Sequence, residues 1–109
     1  MPTTYKVLGQ SNPSATTATS LYTVPASTST VVSSISICNQ DGTDATFRIS
    51  IRPAGAVQTA AMYLGYDITV GGYDSTIITV GLTLATTDVI TVYASTATIS
   101  FQAFGSEIS

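Results

Sequence analysis

The 109-residue chain is the size of one domain, and only 8% of its residues are charged, against about 25% in an ordinary soluble domain. Its 44% hydrophobic content excludes a disordered polymer, and no apolar run of about 18 residues reads as a membrane-spanning helix. A net charge of −3 and a pI near 4.2 leave no basic patch for nucleic acid, and the single Cys38 excludes an internal disulfide.

Thr and Ser, roughly a third of the chain, fill the positions that charges usually take. Thr suits a half-buried pleated surface, but so little charge gives weak protection against self-association. Neighbouring chains are therefore expected to cover much of the surface. The N-terminal MPTTYKVLGQ lacks the apolar core of a signal peptide, which predicts folding in a reducing cytoplasm.

Short β-prone runs alternate with turn clusters, and no helical period occurs. Tyr5 to Gln10 is the first predicted strand. Ser11 to Ser20 is polar and broken by Pro13, so residues 1–20 are either an arm that reaches a neighbouring subunit or an edge strand with a loop. Leu21 to Val24 is a brief strand stopped by Pro25. Thr30 to Asn39 follows, with Ser33, Ile35 and Ile37 on one face, and ends at the Asp41-Gly42 turn.

Thr46 to Arg52 alternates most clearly. Phe47, Ile49 and Ile51 face a core, and Thr46, Arg48, Ser50 and Arg52 face outward. Ala61 to Val70 is a longer run in which Gly65 predicts a bulge or bend. After Gly71-Gly72 come Ser75 to Val80, Asp88 to Ala94 and Thr98 to Phe104, with Leu82 to Thr87 an irregular connection. About eight short strands joined by short turns predict a single all-β domain over residues 1–109. Its form is an antiparallel β-sandwich, jelly-roll or immunoglobulin-like, with the strand order left open.

The chain contains no histidine, which removes Ser-His-Asp and Cys-His catalysis and most zinc sites. No phosphate-cradling glycine motif occurs. Asp41 and Asp44 read as turn residues, since the spaced ligands of a calcium loop are missing. Asp67, Asp74 and Asp88 carry the same reading. Cys38 has no cation nearby in sequence to lower its pKa and reads as a small, partly or fully buried hydrophobe. The expectation is a protein without catalytic residues, cofactor or metal, and not an enzyme.

The candidate contact residues are Tyr63, Tyr66, Arg48 and Arg52. Tyr63 and Tyr66 lie beside Met62 and Leu64, where both strand faces are apolar, and tyrosine is favoured at interfaces. Arg48 and Arg52 share one strand face and are two of only three cations, suited to an acidic neighbour. Tyr22, Tyr73 and Tyr93 are assigned to core packing.

Four segments, VLGQ (Val7 to Gln10), LYTVPA (Leu21 to Ala26), FRISIRPAGA (Phe47 to Ala56) and TDVITVYASTATISFQAFGSEIS (Thr87 to Ser109), resemble a family of small structural proteins of tailed bacteriophages, cyanophages in particular. The likeness runs in the same order over nearly the whole chain, though no segment is a mechanistic motif. It implies a β-rich virion component made in the host cytoplasm, either a head decoration (cement) protein or a part of a tail, baseplate or fibre. The expected partners are other virion subunits, the major capsid protein first, and the chain itself as a dimer or trimer. A receptor- or carbohydrate-binding module is the alternative from a different class.

Overall fold

The computed structural model describes residues 2–109. Eight strands follow one another: β1 (Thr3–Ser11), β2 (Thr19–Thr23), β3 (Ser29–Asn39), β4 (Ala45–Arg52), β5 (Tyr63–Val70), β6 (Ser75–Leu84), β7 (Val89–Ala94) and β8 (Ile99–Ile108). Two single 3-10 turns, Pro53–Gly55 and Ala60–Met62, lie between β4 and β5.

The strands form two four-stranded sheets, in the orders β1-β8-β3-β6 and β2-β7-β4-β5, with every ladder antiparallel. Strand one pairs with eight, two with seven, three with six and four with five. The chain is thus a long ribbon doubled at β4–β5 and rolled up, which is the jelly-roll form of sandwich and not the immunoglobulin one. Only β4 and β5 pair as consecutive strands. The other connections cross between the sheets, because each strand must deliver its apolar face to the shared interior.

That interior follows the period-2 pattern. Phe47 and Ile49 of β4 and Ile90 and Val92 of β7 meet Ile35 and Ile37 of β3 and Ile99, Phe101 and Ala103 of β8, all at most 2% exposed. Several predicted bounds change. β6 continues through Gly81 and Leu82 to Leu84, where an irregular connection is expected, and β8 runs past Phe104 to Ile108. The run from Ala61 becomes a 3-10 turn and then β5. The first twenty residues contribute an edge strand, β1, which pairs with β8 from Thr3↔Ile108 to Ser11↔Phe101. In β3 a bulge between Val32 and Ser34 shifts the phase, so Val32, Ile35 and Ile37 face the core while Ser33 is exposed and donates to the Phe104 carbonyl.

The two long sides of the sandwich differ. On the β1/β2 side the sheets close on each other: a Cβ at Gly9 would overlap the Leu21 carbonyl oxygen, and Leu8, Leu21 and Tyr22 are buried there. On the β5/β6 side they stay apart at the rim, where Ile78, Val80 and Leu82 are only partly buried and Ile68 is 40% exposed.

A polar network ties four strands at the closed side. The Tyr22 hydroxyl of β2 donates to Glu107 Oε2 of β8 at 2.5 Å and lies 2.8 Å from Thr30 Oγ1 of β3, and Lys6 Nζ of β1 donates to Glu107 Oε1 at 3.2 Å. The Tyr22 hydrogen bond, with help from Lys6, holds the Glu107 carboxyl below its ordinary value. Burial, then the Glu107 carboxylate, pushes the Tyr22 phenol up to about 12. The Glu107 contribution to stability is complete above the ordinary glutamate value of about 4.3 and is lost as pH falls through its lowered folded value. The Tyr22 contribution is complete below the ordinary phenol value of about 10 and is lost as pH rises through about 12. Urea midpoints measured against pH are therefore expected to fall at both ends. Tyr22→Phe, which removes the titrating phenol and the donor that Glu107 accepts from, should abolish the alkaline limb and weaken the acid one, with Lys6 still holding Glu107, whereas unchanged limbs would deny the network this role.

Candidate interaction site

The outward face of β7-β4-β5 carries a cluster built by a β-bulge. Arg48 of β4 stands opposite Tyr93 of β7. On its other side the β4–β5 register skips between Phe47↔Ile68 and Ile49↔Gly65, so Tyr66 and Asp67 together oppose Arg48. Asp67 takes φ 50°, a left-handed conformation that aspartate tolerates better than most residues and that commonly forms a bulge. Gly65 closes the bulge on its N-terminal side, opposite Ile49.

The bulge brings both a ring and a carboxylate to Arg48. Arg48 Nε donates to Asp67 Oδ1 at 2.7 Å and Nη2 to Oδ2 at 3.3 Å, a two-pronged pair suited to the guanidinium fork. The guanidinium carbon lies 4.1 Å from the Tyr66 ring centre and 4.3 Å from that of Tyr93. Tyr63 meets Tyr66 edge to face, with centroids 4.9 Å apart. Asp67 raises the already high pKa of Arg48, so the cation is permanent. An exposed ion pair contributes little stability on its own. Its effect here is orientation: it fixes the planar cation against two tyrosine rings.

Beside the rings, Tyr63 and Tyr66 form one wall of an open cleft of about 470 Å³, completed by Gln58, Thr59 and Ala60. The 53–62 segment holds this cleft against the sheet. Ser50 Oγ donates to Gln58 Oε1 at 2.5 Å, and Arg52 donates to the Ala56 and Gly55 carbonyls at 2.8 and 3.0 Å. Asp88 accepts from the Ala54 and Ala85 amides, joining this segment to the β6–β7 turn.

Of the four expected contact residues, the structure brings Tyr63, Tyr66 and Arg48 together. Arg52 shares their sheet face, but its donors close the loop after β4. Two assignments of tyrosine to the core are corrected. Tyr93 lies on the outer face because its neighbours Val92 and Ala94 take the inward positions, and Tyr73 is 80% exposed in the β5–β6 turn. Tyr22 is in the core. Asp67 and Tyr93 are the members of the cluster that sequence reasoning missed. Gly65 was the only signal for Asp67, and VITVYA is apolar on both faces, so its phase cannot be read.

The remaining carboxylates serve turns. Asp44 accepts from the Gly72 amide and Asp74 from the Ser75 amide, at 3.0 and 2.8 Å. Among the described residues no three Asp, Glu or Cys side chains gather to hold a metal ion. Cys38 is a half-buried free thiol. No protein-family model matches the chain, and no curated protein matches it.

Proposed function

We propose that this chain is a non-enzymatic virion subunit of a tailed bacteriophage, a decoration protein that binds and stabilises the assembled head. The observation that carries the reading is the pre-ordered Tyr63–Tyr66–Arg48–Tyr93 cluster on a rigid, otherwise nearly uncharged sheet face. Tyrosine and arginine dominate the energetic centres of protein interfaces, and Arg48 brings a charge already neutralised by Asp67. The resemblance of four segments to phage structural proteins supplies the setting, with the major capsid protein as the favoured partner. A ligand that binds only the assembled lattice stabilises that lattice by mass action, and repetition over the shell multiplies weak contacts.

Immunogold microscopy of purified virions tests the placement. Gold is expected over the heads. Gold confined to tails would move the chain to a tail, baseplate or fibre, and unlabelled particles with an accessible epitope would remove the virion reading. For the site itself, Tyr66→Ala and Arg48→Ala are each expected to weaken binding to capsids assembled without the chain by about tenfold or more. Their unfolding midpoints should stay close to wild type, since both side chains lie outside the core.

A second reading rests on the cleft. A wall of two tyrosine rings facing the Gln58 amide suits a sugar, and its volume of about 470 Å³ falls in the range of small-ligand sites. A glycan-array signal lost in Tyr63→Ala and Tyr66→Ala would favour a carbohydrate-binding module over a lattice subunit.

A further inference from the structure

We infer that the surface docking on the Tyr63–Tyr66–Arg48–Tyr93 cluster is uncharged where it meets Arg48 and offers it carbonyl oxygens, with Asp67 the residue that selects such a surface over an acidic one. The inference deepens the head-binding reading and rests on it: it names the chemistry of the capsid patch that the cluster fits.

Two arginines on one strand face read as a contact for an acidic neighbour, but neither is free for one. Arg52 donates from Nε to the Ala56 carbonyl, from Nη2 to the Gly55 carbonyl and from Nη1 to the Thr91 hydroxyl, at 2.8, 3.0 and 3.4 Å. Arg48 is bound through Nε and Nη2 to both oxygens of Asp67, and Tyr66 and Tyr93 hold its guanidinium from β5 and β7. Of the five guanidinium N–H donors, three remain for a partner. Each needs an acceptor once a partner excludes water from the face, because a buried donor left unanswered is costly.

Charge decides which acceptor. Arg48 and Asp67 together carry no net charge, so they act on a neighbour as a dipole, whose pull on an anion falls off faster than that of a lone cation. A partner carboxylate would have to leave water and would then meet the Asp67 charge across the guanidinium. A carbonyl gives up far less hydration and takes the same N–H groups. The bulge does not itself demand the Asp67 charge: at φ 50° asparagine serves as well as aspartate. What the carboxylate adds is neutralisation of Arg48. The rest of the patch is neutral too, with Thr46 and Thr69 opposite each other on the same β4–β5 ladder beside the tyrosines. Asp44, in the turn before β4, is four residues from Arg48, about 14 Å along an extended chain. That lies outside the Debye length of about 8 Å at physiological salt.

Asp67→Asn tests this, because it keeps the size of the side chain, the bulge conformation and an oxygen for Arg48 Nε while unmasking the cation. Co-sedimentation with capsids assembled without the chain gives the affinity. For the wild type it is expected to change by less than about twofold between roughly 0.05 and 0.5 M NaCl. Asp67→Asn should bind about tenfold more weakly, since a net charge must now be desolvated against a neutral patch. Its unfolding midpoint should stay close to wild type, which separates loss of selection from loss of fold. Tighter or unchanged binding by Asp67→Asn, or wild-type binding that falls about tenfold over the same salt range, would overturn the inference and leave the head reading standing. Capsids that bind no wild-type chain at either salt would sink the head reading, and this inference with it.

Discussion

Phe47→Ala is expected to lower the unfolding free energy by about 3–5 kcal/mol, a large part of the roughly 5–15 kcal/mol that holds an ordinary domain. Phe47 of β4 and Phe101 of β8 come from different sheets and are both fully buried. Their rings meet edge to face, 6.1 Å apart at 74°, in the centre of the sandwich. Truncating one ring removes its buried area, opens a cavity that two hydrogen-bonded sheets cannot collapse to fill, and cancels the ring-to-ring contact, itself about 0.5–1.5 kcal/mol. Urea titration with matched slopes checks this. A loss under about 1 kcal/mol would mean that the sheets can move together to refill the space.

Asn39→Leu should cost about 3 kcal/mol, although it replaces a polar side chain in the core by an apolar one of similar size. Asn39 ends β3 and is 1% exposed. Its Nδ2 donates to the Thr43 carbonyl at 2.9 Å and the Val70 carbonyl at 3.4 Å, and its Oδ1 accepts from the Asp41 amide and the Thr98 hydroxyl, each at 3.1 Å. One side chain thereby joins the ends of β3 and β5 to the β3–β4 and β7–β8 turns. Leucine leaves those partners unanswered at the end of the core, and each buried orphan costs about 1–3 kcal/mol before any water reaches it. Hydrogen exchange should localise the damage to residues 40–44 and 96–98. Uniform loss across all strands would instead indicate a packing fault.

Both residues show what a sequence can and cannot disclose. Phe47 was legible because β4 alternates strictly and its polar residues all face one way. Asn39 was not, since nothing local marks an asparagine at a strand end as the hub of four segments. The eight strands and the sandwich came from turn residues and β-branched runs. Their order did not, because ladders such as Thr3↔Ile108 join residues at opposite ends of the chain. Strand ends set at Val80 and Phe104 fall short, because β6 runs on through Gly81 and β8 through Gly105, a position where the Val31 backbone passes too close for a side chain. At the candidate site, the residue types that favour contact were visible in Tyr63, Tyr66 and Arg48. The bulge that assembles them, and recruits Asp67 and Tyr93, belongs to the pairing of β4 with β5 and has no linear signature.

The doubled-ribbon pairing also bears on how the chain reaches this state. Closing β1 onto β8 from an open coil would enclose almost the entire polypeptide, and the entropy lost grows with the length enclosed. The nested pairs offer a cheaper route. Once β4 and β5 meet around the 53–62 loop, β3 and β6 are already near each other, then β2 and β7, and last β1 and β8, so each step encloses only a short stretch. The slow event on this route is the first contact, and its nucleus is the same hairpin that carries Arg48, Tyr63, Tyr66 and Asp67. Substitutions that weaken the β4–β5 turn should therefore slow refolding, while those in the β1–β8 ladder should chiefly speed unfolding.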